Sequence, residues 1–114
     1  MADCIFCKIA NHEIESRIVY ESEDVVAFQD ANPQAPVHLL IIPRKHLESV
    51  QDLGAEDADL ALRLLQTAAR LAREQGIAER GFRLVANAGA EAGQSVPHLH
   101  FHLLGGRAMS WPPG

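Results

Sequence analysis

His98-Leu99-His100-Phe101-His102-Leu103-Leu104 alternates histidine with apolar residues. In a β-strand, successive side chains point to opposite faces. Period two therefore predicts three imidazoles on one face and Leu99, Phe101 and Leu103 on the other, against a core. A solvated strand face is ordinarily furnished with Lys, Glu or Thr, so three histidines in register point to chemistry. One metal ion cannot gather all three. The outer pair of a regular strand stand roughly 13 Å apart at ~3.3 Å per residue, whereas a zinc–nitrogen bond is only ~2.0–2.1 Å. A row of imidazoles fits a row of phosphate oxygens better. His100 is central. A neutral ring attacks through one nitrogen while the other keeps its proton, and flanking histidines can donate to oxygens on which charge develops.

Outward from this strand, four more runs read as strands. Arg17–Glu21 and Val25–Asp30 are β-branched and aromatic, with Ser22-Glu23-Asp24 as the turn of a hairpin. Val37–Pro43 is almost continuously apolar and reads as a central strand carrying His38; Phe82–Ala86 is the fourth. Pro33 and Pro36 keep residues 32–36 in a loop. Ala55–Gln75 is the one long helix: Ala58, Ala61, Leu62, Leu65, Ala68, Ala69 and Ala72 recur at steps of three and four, with Leu60, Leu64 and Leu71 widening the stripe. Glu56 and Asp57 suit its N-terminal end, and Gly76 its stop. Strands outnumber helices without strict alternation, which favours an α+β fold on a mostly antiparallel five-stranded sheet. Arg44 and Lys45 read as a solvated strand end, and His12 as surface.

The chain has 114 residues, 47% of them apolar and 22% charged, which predicts one folded domain over residues 1–114. Ten basic against fifteen acidic side chains give a net charge of −5, which argues against a nucleic-acid partner held by a general basic field. An anion must then be bound locally, by backbone N–H groups and some of the six histidines. No stretch approaches the ~20 apolar residues of a membrane span, and the N-terminus lacks a secretory pattern, so a cytoplasmic protein is expected. In that compartment Cys4 and Cys7, spaced C-x2-C, read as thiols or metal ligands and not as a structural disulfide. Gly93-Gln94-Ser95, three residues before His98, is a candidate phosphate cradle, with Ser95 able to bond an anion or help protonate a leaving amine.

With these residues in view, the sequence resembles the histidine triad (HIT) family. Ile5-Phe6, Ala27-Phe28-Gln29-Asp30, Pro33-Gln34-Ala35-Pro36-Val37-His38, Gly93-Gln94-Ser95-Val96 and the histidine strand fall in the family's order. The ending, Leu104 to Gly114, is similar to the Hint branch. The resemblance implies a homodimer of α+β protomers whose sheets join, each with a short N-terminal helix and a purine nucleotide site. By matching positions, His100 resembles the nucleophile, with His38, His102 and Ser95 completing the catalytic set. Asp30 matches the ribose-binding carboxylate, Asn87, Gly93, Gln94 and Ser95 the phosphate contacts, and Phe6, Ile9 and Phe28 the base pocket. The implied reaction is hydrolysis of a purine nucleoside 5′-phosphoramidate through a nucleotidyl-histidine. Cleavage of dinucleoside polyphosphates, or a nucleotide-binding sensor with incidental catalysis, are the alternatives. Cys4, Cys7, His46 and His98 match the structural zinc ligands of zinc-containing relatives. Pro97 and Ala31 depart from the simplest Hint pattern, at positions where an aromatic and a larger apolar residue are usual.

Overall fold

A computed structural model describes residues 4–114. In chain order the elements are α1 (Ile5–Ala10), β1 (Ile18–Glu21), β2 (Val25–Gln29), β3 (Val37–Pro43), α2 (Ala58–Glu74), β4 (Phe82–Ala86) and β5 (Phe101–Gly105), with 3-10 turns at Val50–Asp52, Ala55–Asp57 and Ala90–Ala92. The five strands form one antiparallel sheet in the order β1-β2-β3-β5-β4. The expected α+β architecture is what the chain adopts.

Alternation along β3 divides the molecule into two cores. Leu39 and Ile41 point to one face, where they join Val25, Ala27 and Leu103 beneath α2. Leu40 and Ile42 point to the other, where they join Val26 and Phe28 beneath α1, which contributes Phe6, Ile9 and Ala10. His38 shares the α1 face by the same alternation. In register, Leu40 lies opposite His102 and His38 opposite Leu104, so the side chains of β5 that follow His102 in steps of two also face α1.

Two expectations are corrected here. The histidine strand starts later than alternation implies: β5 begins at Phe101, and residues 96–98 form a bend. Pro97 has no N–H to offer a ladder, and the chain turns through it before it pairs. The helix is rotated relative to the expected stripe. Leu64, Thr67, Ala68, Leu71 and Ala72 are buried, whereas Leu62 and Leu65 are about half exposed, at 54% and 48%. Ala68 and Ala72 of that stripe are packed, but the buried face is centred on Leu64 and Leu71, and Leu62 and Leu65 fall outside it.

Local chemistry fixes the turn that leads into α2 and the helix's C-terminal end. The Asp57 carboxylate accepts from Gly54 N–H (3.0 Å) and from the Lys45 ammonium (2.6 Å). Gly76 ends α2 in the left-handed region (φ +75°), which lets Ile77 N–H reach back to Ala72 O at 2.9 Å. Arg44, expected in solvent, is half-buried: its guanidinium donates to Ser22 O (2.9 Å), the Glu21 carboxylate (3.0 Å) and the carbonyl of Ala10, tying α1 to the hairpin.

Candidate active site and metal centre

α1 brings Cys4 and Cys7 to the sheet. Cys4 caps the helix with sulfur in place of the usual oxygen, its Sγ accepting from Cys7 N–H at 3.4 Å. The β3 end delivers His46, and the bend before β5 delivers His98. The Nδ1 of His98 lies 3.2 Å from Cys4 Sγ, 3.5 Å from Cys7 Sγ and 3.2 Å from His46 Nδ1, while Cys7 Sγ lies 3.4 Å from His46 Nδ1. All four ligand atoms fall within 4.8 Å of one another.

Tautomers decide what this cluster can do. The carbonyl of Pro43 can only accept, and it lies 2.8 Å from His98 Nε2, so the proton of the neutral ring is there. Nδ1 is left bare and aimed at two sulfurs and a second ring nitrogen, a donor set for a cation. Bond lengths of ~2.0–2.1 Å to nitrogen and ~2.3 Å to sulfur imply tetrahedral edges of about 3.3–3.8 Å. The four separations above, 3.2–3.5 Å, lie near those edges. Burial holds His98 below its ordinary pKa of 6.5, keeping the ring neutral, as ligation requires. As a free thiol, Cys7 is pushed up to about 11, chiefly by burial and then by the adjacent Cys4 sulfur, which makes it a poor nucleophile at neutral pH.

The second cluster begins two residues later. His100 Nδ1 donates to the carbonyl of His98 at 2.7 Å, so its bare nitrogen is Nε2. Gln34 N–H donates to His38 Nδ1 at 3.0 Å, so His38 carries its proton on Nε2. That N–H lies 2.9 Å from His102 Nδ1 and 3.3 Å from the Asp30 carboxylate. His102 accepts on Nδ1 and keeps its proton on Nε2. Asp30, His38 and His102 are close enough together to suggest a second cation site, but a protonated His38 Nε2 has no lone pair to give. Burial lowers the pKa of both His38 and His102; neighbouring His100 and His38 lower His102 further, and Asp30 partly offsets the effect at both rings.

Phe6 separates the two clusters. Its ring meets His100 edge-on at 5.1 Å and His98 at 6.0 Å, and packs on Phe28 at 5.4 Å. Beyond it opens a cavity of about 330 Å³ with His100, His102 and Ser95 at one side and Phe6, Ile9 and Phe28 among its apolar walls. Asp30 and Ala31 border it. Its size and apolar lining are those of a small-molecule site. A larger concavity of about 450 Å³ between the β1–β2 hairpin and α2 has its charges cancelled internally: Arg63 pairs with Asp24, and Arg70 lies over Tyr20 and bonds Glu74.

Of the other residues singled out from sequence, His38 stands behind His102, outside the cavity lining. Asn87 and Gln94 spend their side chains on the loop itself: Asn87 Nδ2 donates to Ala92 O (2.8 Å), and Gln94 bonds Gly89 N–H (2.9 Å) and Glu48 O (2.6 Å). Gly93, left-handed at φ +79°, turns the chain so that Ser95 reaches the cavity. Sequence reasoning passed over Ile14, Leu40 and Val96, which also line it. Leu40 was within reach, two residues from His38 on the same strand face. Ile14 belongs to an irregular loop with no periodicity to expose it.

The HIT domain family matches residues 11–109. This chain belongs to the HIT family. It is 48% identical over 114 residues to a 14 kDa zinc-binding protein of Brassica juncea, covering 98% of this chain and all of that one. It is 48% identical over 112 residues to the adenylylsulfatase HINT1 of Arabidopsis thaliana, covering 96% of this chain and 76% of that protein. The fold matches a crystal structure of a HIT family hydrolase from Legionella pneumophila at TM-score 0.96 and 49% identity, over 98% of this chain and all of that one. The HIT chain described here thus resembles both zinc-binding and hydrolytic relatives. Among its described residues no helix is long and apolar enough to cross a membrane.

Proposed function

We propose that the protein hydrolyses purine nucleoside 5′-phosphoramidates to the nucleoside monophosphate and an amine, with His100 as nucleophile. The observation that carries this is the 2.7 Å bond from His100 Nδ1–H to the His98 carbonyl, which leaves a bare Nε2 on a ring lining an apolar-walled cavity. Nε2 attacks phosphorus, the P–N bond breaks, and the amine departs with a proton supplied by or through Ser95. Water then displaces His100 from the nucleotidyl adduct, restoring the free ring. His102 Nε2–H donates to a non-bridging phosphate oxygen as charge grows on it. His38 acts one layer back, holding His102 in the tautomer that makes this donation available. Asp30 takes the ribose hydroxyls, and Phe6, Ile9 and Phe28 hold the base. Asn87, Gly93 and Gln94 shape the loop that presents Ser95 to the phosphate.

Cys4, Cys7, His46 and His98 would hold zinc. The ion would cross-link α1 to the sheet, its shell closed by four protein ligands and without an open position for water. A second copy of the chain would pair along β4, a sheet edge whose Phe82 is 40% exposed, giving a homodimer. Its compartment would be the cytoplasm, where free thiols persist.

The name of the Arabidopsis relative places sulfate as a leaving group on adenylate in that protein. Sulfate leaves without a proton and an amine does not, so Ser95→Ala separates the two chemistries: it slows phosphoramidate turnover more than adenylyl sulfate turnover. Steady-state turnover of adenosine 5′-phosphoramidate against diadenosine polyphosphate, with AMP affinity alongside, tests the main reading. Preference for the phosphoramidate is expected; tight AMP binding with negligible turnover of either would make the protein a sensor.

A further inference from the structure

The cavity has an outer wall that the proposed chemistry leaves unused. Past α1 the chain runs through Ile14, Glu15 and Ser16 before β1, and all three line the nucleotide cavity. The same three residues border a neighbouring hollow of about 230 Å³ that includes His12, Glu13 and Ile18 and no residue of the histidine cluster. They therefore stand between the cavity and that hollow, on the side that carries no residue of the histidine cluster and against which the base of a bound nucleotide would end. Apolar side chains alone would hold any purine there. Ser16 adds a hydroxyl, and Glu15 is the charged side chain of this wall: among the described residues it makes no ion pair and no side-chain hydrogen bond. The other carboxylate of the cavity, Asp30, accepts from Asn32 N–H at 2.8 Å, faces His38 at 3.3 Å, and is already assigned to the ribose.

Resting on the nucleotide-site reading above, we propose that Glu15 is a base-selecting residue that favours guanine over adenine. An ionised carboxylate is an acceptor only. Guanine presents N1–H and the N2 amino group side by side, two donors that match the two carboxylate oxygens. Adenine presents one amino group beside a ring nitrogen whose lone pair opposes the second oxygen. Hypoxanthine, with N1–H alone, falls between. A glutamine carries one donor and one acceptor, the complement of adenine. The exchange Glu15→Gln thus inverts the pattern without changing shape. A bidentate recognition pair of this kind discriminates by roughly tenfold.

Calorimetric titration of the zinc-loaded wild-type protein with GMP, IMP and AMP tests this directly, with Glu15→Gln and Glu15→Ala in parallel. Glu15 is exposed, and thermal melts of the variants establish that they remain folded. Wild type should bind in the order GMP, IMP, AMP, with about tenfold between the ends. The ratio should collapse in Glu15→Ala and reverse in Glu15→Gln. Comparing ratios removes the general gain in anion affinity that follows loss of a negative charge. Equal affinities in wild type, or a guanine preference that survives both substitutions, overturns the role of Glu15. Failure of all three nucleotides to bind would instead overturn the nucleotide-site reading on which it rests.

Discussion

His98 and His100 are two residues apart, and their rings meet opposite demands. His98 gives its Nε2 proton to the Pro43 carbonyl and turns Nδ1 toward Cys4, Cys7 and His46; His100 gives its Nδ1 proton to the His98 carbonyl and leaves Nε2 bare. The contrast shows that a ring's function is set by which backbone acceptor takes its proton. Phe6, wedged between the rings, keeps one nitrogen among thiols and the other beside the cavity. The two regions are joined by one atom. The carbonyl that fixes the nucleophile belongs to the residue whose ring would hold the metal.

The largest expected effect breaks one side alone. His100→Ala should lower phosphoramidate turnover by at least ~10³-fold, with AMP affinity and zinc content unchanged. Protein quenched during wild-type turnover should carry a nucleotidyl mass on the peptide containing His100. An adduct on His98 or His102 would reverse the roles assigned to the two regions.

Breaking the other side should act mainly on stability. Cys4→Ser combined with Cys7→Ser should abolish zinc binding, read by metal analysis of untagged protein, and lower Tm on the order of 10 °C. Turnover should survive within a few-fold, because the backbone at His98 has its own anchors: Leu99 N–H donates to Leu47 O at 2.6 Å and the His98 ring to Pro43. Loss of all turnover with the fold intact would mean the metal takes part in the chemistry.

Smaller effects sharpen the layer behind the nucleophile. His38→Ala removes the donor that fixes His102, and turnover should fall about 10–100-fold, by analogy with the cost of losing the hydrogen-bond partner of a metal-bound imidazole. The pH dependence of stability should be smaller still. Folding lowers the pKa of His38 and His102 from 6.5, so between the folded values and 6.5 the unfolded chain binds more protons. Their stabilisation is fully present above 6.5 and is lost as pH falls through that window. The urea midpoint should therefore drop from pH 7.5 to pH 5.5, and drop less in His38→Gln.

β3 and β4 were legible in the sequence to the residue, because Val37–Pro43 is stopped by its own proline and Phe82–Ala86 lies between glycine and a polar loop. The histidine row was legible as chemistry but not as geometry. Period two assigns the three rings one face, whereas the chain bends through Pro97, β5 begins at Phe101, and Phe6 from the other end of the sequence enters between two of them. Insertion of a distant side chain leaves no local pattern. The same holds for Ile14 and Glu15, which line the cavity from an irregular loop, and for Arg44, whose acceptors on Ala10 and on Glu21-Ser22 lie far from it in sequence.

Long-range ¹H–¹⁵N correlation of the imidazole nitrogens observes the opposed tautomers of His98 and His100 directly. In zinc-loaded protein at pH 7.5, His100 should show its proton on Nδ1 and a lone-pair shift at Nε2, while His98 shows its proton on Nε2 and a metal-perturbed Nδ1. Finding the proton of His100 on Nε2, or both rings in the same tautomer, would contradict that assignment.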